Sequence, residues 1–393
     1  MFRDTFLRKP SPCTPTAAMR SCRGRWSFLL IFAAACGTAG AREGATGFPD
    51  TDTRRRGAIA VREVSVSDSD ASFTTVHALD VDSRGAVYVP DTYQQRVTVL
   101  GSDGTVLRTF GRRGSGPGEF RSVRSVQVLP GDSLLAYDPS LGRATVFLPG
   151  SDQVAYSVTL GSRGQVPFDV WRTPDNSAFV ALYRPQFAFV PGADFRNRKD
   201  HIRLLGLDGS PVRDLLEFPS KAFVVAENSI MPHPFGNEGF ARLDSKNRLH
   251  FVWSDSLAVA QYDLEGRRIG GFVLPYRAPA ITRQDHADEL AAIPDDMRAR
   301  FAAALQDSLH ERWPAVRDVI IDDQDRIWMA LAGSTRQGTE LAAFSPDGTY
   351  LGSVLVPAGT HVRRVRGNLV YGSRMDDDDV PHVVVYEMRR PLR

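Results

Sequence analysis

Cysteine is almost missing from this chain of 393 residues, and all three copies, Cys13, Cys22 and Cys36, fall in the first 36 positions. The rest of the chain therefore has no disulfide, no thiol nucleophile and no cysteine-based zinc site. An excess of one charge is missing too. Lys and Arg number 48 against 46 Asp and Glu, so no basic field draws the chain to nucleic acid, and a nucleic-acid partner is not expected. Long apolar runs are also lacking. The run from Trp26 to Ala35 is about half of the roughly 20 residues that a bilayer-crossing helix needs. No Ser-His-Asp, H-E-x-x-H or paired-carboxylate spacing is present, so no catalytic residue is assigned.

What is present begins with an address. Arg20, Arg23 and Arg25 precede the apolar run, which ends in Ala33, Ala34 and Ala35 directly before Cys36. Charged, then greasy, then small is the order of a secretory signal, and Met19 would begin one of ordinary form, leaving residues 1–18 as an upstream extension. The small residues before Cys36 resemble a bacterial lipobox. That resemblance implies lipidation of Cys36 and an extracytoplasmic chain anchored to the cell envelope, in the periplasm or at the outer membrane. Simple cleavage after an Ala-x-Ala step is the alternative. Residues 37–57, rich in Gly, Ala, Thr and Arg and without a hydrophobic period, read as a flexible tether.

The remainder, 58–393, is a repeat. A polar turn followed by an alternating strand recurs at 81–89, 130–137, 174–182, 243–252, 321–330 and 366–372. A second hairpin follows at 100–110, 148–158, 207–216, 262–272 and 344–354. Each turn carries the Gly, Asn or Asp that a tight reversal needs. Two hairpins per unit make a four-stranded meander, and tandem meanders bury both faces only by packing around an axis. The spacing predicts an all-β, six-bladed β-propeller, with the alternating segment 58–66 completing the last blade and closing the ring. One stretch breaks the rhythm. Residues 282–313 have a helical pattern, with Met297, Phe301, Leu305 and Leu309 on one face after Pro294, and predict a helical insertion between blades four and five. The long segments 184–200 and 221–239 are candidate top-face loops.

The first unit, VHALDVDSRGAVYVPDTYQQRVTVLGSDGTVLRTFGRRGSGPGEF (76–120), resembles the NHL repeat, with its "DxxGxxYVxD" hairpin, "RVxVxxxDGxxxRxFG" hairpin and "GxGPGEF" connector. Later units keep the hairpin rhythm but lose the connector. The resemblance implies the fold more than an activity. Related propellers include passive binding domains and metal-dependent lyases and lactonases.

Candidate site residues come from the starts of the innermost strands. Arg124, Arg317 and Arg363 recur there, and convergent guanidinium groups suit a carboxylate or phosphate. Pairing with nearby Asp169, Asp318 or Asp80 is the competing explanation. His77 and His361 stand in neighbouring units and offer two imidazoles to a channel zinc or calcium, with His233 or His250 to complete the set. The Gly-rich 111–120 reads as a connector, because it lacks the GK[ST] ending and a following helix. The four aspartates 376–379 read as a solvated hairpin loop. The leading expectation is a monomeric binding or interaction module for a protein, peptide, glycan or anionic small molecule, with no cofactor assigned beyond the zinc or calcium that the imidazoles could hold. A metal-dependent hydrolase or lyase, lactonase-like or hydroxyglycine-lyase-like, is the alternative.

Overall fold

The computed structural model describes residues 42–43, 48–67, 71–161, 165–185, 198–226, 229–291, 293–306, 310–332, 338–390 and 392. The signal region and Cys36 lie outside them, as do residues 186–197 of the first long loop and Leu309. No helix among the described residues is long and apolar enough to cross a membrane.

The chain is all-β and propeller-like. Three separate four-stranded antiparallel sheets run in sequence order: Asp80–Val81 to Val106–Phe110, Ser125–Val128 to Val154–Thr159, and Asp169–Arg172 to Pro211–Pro219. A fourth meander, Gly239–Leu243 to Arg268–Val273, gains Arg42–Glu43 as a parallel edge strand. The fifth, Val316–Ile321 to Tyr350–Val356, joins a sixth, His361–Arg366 to Pro381–Met388, through the strand Ile59–Val66. That strand runs antiparallel to Pro381–Met388, with Val61 opposite Met388 and Val66 opposite Val384, and borrows a short parallel register with Val354 and Leu355. Segment 58–66 therefore forms the outermost strand of the last meander.

Burial explains the ring. Every meander is apolar on both faces, and each large buried cluster straddles two successive sheets. Tyr88, Val97 and Phe110 of the first pack against Ala136 and Phe147 of the second. Val81, Val87 and Leu100 of that same first sheet pack against Tyr371, Val383 and Val385 of the last. Innermost strands lie side by side, and His361–Arg366 lies beside Asp80–Val81. Close approach needs glycine at the outer hairpins. Gly104, at φ +89°, is so near the closing strand that a Cβ would strike the carbonyl oxygen of Val66, and Gly209, at φ +80°, stands likewise against Thr159.

The repeated turn has a common hydrogen-bond design. Asp82, Asp244 and Asp322 are buried, and each uses Oδ1 to accept the backbone N–H groups two and four residues on. Oδ2 then accepts from the side chain six residues on: Tyr88 at 3.4 Å, His250 at 2.8 Å and Trp328 at 2.7 Å. Turns also clasp their neighbours. Asp132 accepts from Ser83, and Asp325 from Ser245, both through N–H and hydroxyl.

Burial alone would push the Asp244 carboxyl up. Hydrogen bonds from His250 and from the N–H groups of Arg248 and Lys246 outweigh it and hold the group down at about 2. A folded-state value below the unfolded one, 3.8, means that this stability is present above pH 4 and lost as pH falls through 2. Denaturant unfolding between pH 5 and pH 2 is expected to lose about 2 kcal/mol through this group. Asp244→Asn should flatten that part of the profile, and an unchanged slope would show that Asp244 does not titrate differently on folding.

The Gly-rich 111–120 folds as a connector. Arg143 donates to the carbonyls of Ser115, Gly116 and Glu119, while Phe120 is buried between the first two sheets. The aspartate run forms a hairpin loop, in which Asp376 accepts from the N–H groups of Asp378 and Val380.

Residues 48–57 correct the expectation of a flexible tether over 37–57. Helix α1 (Thr51–Gly57) is capped by Asp50 and docks on the fifth meander. Arg54 is 2% exposed, donates to Glu340 at 2.9 Å and to the carbonyl of Pro49 at 2.6 Å, and lies 4.5 Å from the Phe48 ring. Phe48 packs on Phe344, Tyr350 and Tyr276. One aromatic and one arginine anchor the segment. Local composition does not reveal them, because their partners lie more than 200 residues away.

Helices α2 (Arg283–Ala291) and α3 (Asp295–Gln306) occupy the insertion. Thr282 and Asp285 form a reciprocal capping box, each side chain accepting the other's backbone N–H. The stripe of α3 meets a hairpin, Phe223–Ala226 with Ser229–Pro232, and Phe301, Leu305, Ile293 and Val224 form a small core there.

Candidate functional site

The hairpin, the insertion and the inner rim of meanders four to six surround a cavity of about 920 Å³. Hairpin and flank contribute Lys221, His233 and Glu238, α2 contributes Glu289, and the rim contributes Arg317, Asp318, His361 and Arg363. The volume suits a small molecule or short peptide.

Arg317 and Arg363 arrive there by the same device. In the fifth meander Val316 pairs with Leu331 and Asp318 with Ala330, leaving Arg317 as an extra residue. In the sixth, Val362 pairs with Gly372 and Arg364 with Tyr371, leaving Arg363 extra. Such β-bulges re-aim a side chain out of the pleat and are common beside sites. Val123-Arg124-Ser125-Val126, Val316-Arg317-Asp318-Val319 and Val362-Arg363-Arg364-Val365 share a V-R-x-V pattern. That pattern is the signal for the position, and it places Arg363, not His361, at the matching place in the last unit.

The aspartates expected to neutralise these arginines are occupied elsewhere. Asp318 receives Arg242 at 3.1 Å, Asp169 accepts the Ser125 hydroxyl at 2.6 Å, and Asp80 accepts the N–H groups of Val81 and Val128 with Arg364 at 3.3 Å. Among the described residues Arg124, Arg317 and Arg363 have no ion pair. Arg317 sits over the Trp313 ring at 4.9 Å. Trp313 packs edge-on against Phe235 and donates to Asp285 at 3.4 Å. Arg363 donates to the carbonyl of Val76, and its Nε is buried without an acceptor. Burial lowers the pKa of Arg363, Arg242 adds to the effect and Asp318 opposes it; the group remains a cation at neutral pH.

Arg124 does not reach the cavity. It stacks on Phe168 at 3.8 Å, beside Arg184 at 4.3 Å, after Asp138 has fixed residues 121 and 122 through their N–H groups. Of the two imidazoles, His361 lines the cavity and His77 is not among its lining residues. Burial lowers the pKa of His77, and Arg363 and Arg124 lower it further; burial, then Arg363 and Arg317, does the same to His361. Both rings are therefore mainly neutral at pH 7.

The structure does not complete a metal site. His250 is fully buried and hydrogen-bonded to the turn carboxylate Asp244, near the turn end of its strand. His233 accepts the N–H of Phe235 and packs on His310. Neither joins His77 and His361, and among the described residues no group of three His, Cys, Asp or Glu is placed to hold a metal. His233 and His250, the two imidazoles offered to complete the set, are engaged in local hydrogen bonds.

No protein-family model matches the chain, and no curated protein matches it. Solved structures do. An exported protein from Bacteroides fragilis NCTC 9343 is similar at 8% identity with a TM-score of 0.50, over 88% of this chain and 98% of that one. A member of the DUF4221 family from Bacteroides vulgatus ATCC 8482 matches at 8% identity and TM-score 0.48, over 84% and 98%. A catalytically inactive virginiamycin B lyase from Staphylococcus aureus matches at 11% identity and TM-score 0.43, over 84% and 88%. At such identities the first likeness is one of fold alone: the class is that of β-propeller-like proteins.

Proposed function

We propose that the chain is an NHL-like, six-bladed propeller held outside the cytoplasm through Cys36, and that its cavity binds a small molecule bearing a carboxylate or phosphate. The observation that carries the binding reading is the pair of bulged arginines, Arg317 and Arg363, which have no carboxylate partner among the described residues. Two guanidinium groups line one partly desolvated cavity without a carboxylate partner, and an anion there supplies acceptors for the accessible N–H groups of Arg363 and for the exposed Arg317. The fold of the exported neighbour and the signal-like start support the location. The six straddling core clusters support the blade count.

Titration calorimetry with succinate and with inorganic phosphate tests the reading. Each charge-assisted hydrogen bond contributes about 1.5–3 kcal/mol, so Arg317→Ala and Arg363→Ala should each weaken binding roughly 10- to 100-fold. Melting temperatures without ligand should change little for Arg317→Ala, whose side chain is exposed. Affinities unchanged in both variants, or no binding of either anion, would remove the proposal.

A further inference from the structure

The same cavity carries an unused carboxylate. Four acidic side chains line it, and three are matched by cations: Glu238 with Lys221 at 3.0 Å, Asp318 with Arg242 at 3.1 Å, and Glu340 with Arg54 at 2.9 Å. Glu289, on α2, has no ion pair among the described residues. It faces Arg317 across the cavity without pairing with it. Burial raises its pKa, with Arg317 opposing that rise and Asp285 and Asp288 adding to it.

The two walls are of different origin. Arg317 and Arg363 belong to the propeller rim, held by bulges, Trp313 and the Val76 carbonyl. Glu289 belongs to the insertion, held by the Thr282 capping box and by the packing of α3 on the 223–232 hairpin. An acid without an ion pair among the described residues thus shares one space with Arg317 and Arg363, and with the exposed and equally unpaired Arg55 and Arg277, and a half-buried carboxylate without a partner is unfavourable.

Resting on the anion-binding reading above, we infer that the ligand is a zwitterion of amino-acid type, its carboxylate on Arg317 and Arg363 and its ammonium on Glu289. Such a ligand satisfies both walls at once. A plain anion satisfies one and leaves the acid beside it, where the two repel each other. Free amino acids and short peptides share this chemistry, and the length between the two charges separates them.

Calorimetry with trialanine, N-acetyl-trialanine, L-alanine and succinate decides the matter. Trialanine should bind at least tenfold more tightly than its acetylated form, which has lost only the ammonium. In Glu289→Gln the two should become equal, while the melting temperature stays within about a degree of wild type. Tighter binding of L-alanine than of trialanine would assign the site to free amino acids. Equal binding of trialanine and N-acetyl-trialanine by the wild type, with succinate still bound through Arg317, overturns the inference and leaves the anion site standing. A preference that survives in Glu289→Gln overturns the role of Glu289. Failure of all four probes to bind overturns the inference, and failure of inorganic phosphate as well overturns both readings.

Discussion

Arg54→Ala is expected to destabilise the folded chain by about 3–5 kcal/mol, the usual cost of removing one partner from a buried ion pair. Both side chains are nearly inaccessible, at 1% for Arg54 and 7% for Glu340, and their separation is 2.9 Å. Without the guanidinium, Glu340 faces a low-dielectric interior with a charge and no counterion. Phe48 loses its cation–π partner, and α1 loses its anchor on the fifth meander. Because strand Ile59–Val66 follows α1 directly and completes the last meander, loosening the helix exposes the seam by which the ring closes. Urea midpoints for Arg54→Ala, Glu340→Ala and the pair measure the coupling. The double variant Arg54→Met with Glu340→Leu should recover much of the loss, because matched apolar residues leave no buried charge. A midpoint for Arg54→Ala equal to wild type would mean that the N-terminal segment does not hold the ring.

The second large effect is expected at the turn of the fifth meander. Asp322→Ala removes at once the acceptor of Trp328 Nε1, of Arg326 Nε and of two backbone N–H groups. The indole is fully buried, so its N–H finds no water. Each buried donor left without an acceptor costs about 1–3 kcal/mol, and about 3–5 kcal/mol in total is expected in a chemical denaturation series. The equivalent Asp82→Ala should cost less, about 1–2 kcal/mol, because Tyr88 is bonded at only 3.4 Å and Arg84 is exposed. Trp328→Phe should cost less in the Asp322→Ala background than in the wild type, since there it removes an orphaned donor instead of a hydrogen-bonded one. Equal losses at Asp82 and Asp322 would show that the backbone hydrogen bonds, and not the side chain six residues on, carry the turn.

These turns were the legible part of the chain. An aspartate followed by a residue of positive φ and an alternating strand is a local instruction, since the carboxylate reaches only N–H groups within six residues and the strand face follows from period two. The same logic made 58–66 recognisable as a strand seeking a partner and 282–313 as helical. The positions of Arg317 and Arg363 were also readable, because a V-R-x-V recurrence marks one place in each unit. What the arginines meet there was not readable. Asp318 follows Arg317 in sequence, and adjacency suggested a pair, yet the carboxylate turns to Arg242 of the preceding meander.

Sequence alone therefore determined the class of fold, its closing strand, the places where inner-rim side chains stand and the absence of cysteine chemistry from the body. Each of these depends on interactions between near neighbours or on a period that repeats. Tertiary structure decided the rest: that 48–57 docks through Arg54, that Arg124 leaves the cluster for Phe168, and that the insertion brings Glu289 into the cavity of two bulged arginines. Those outcomes depend on charges meeting across distances of tens to hundreds of residues. Which acid neutralises which base is settled by burial and packing in the closed ring, and no local pattern encodes it.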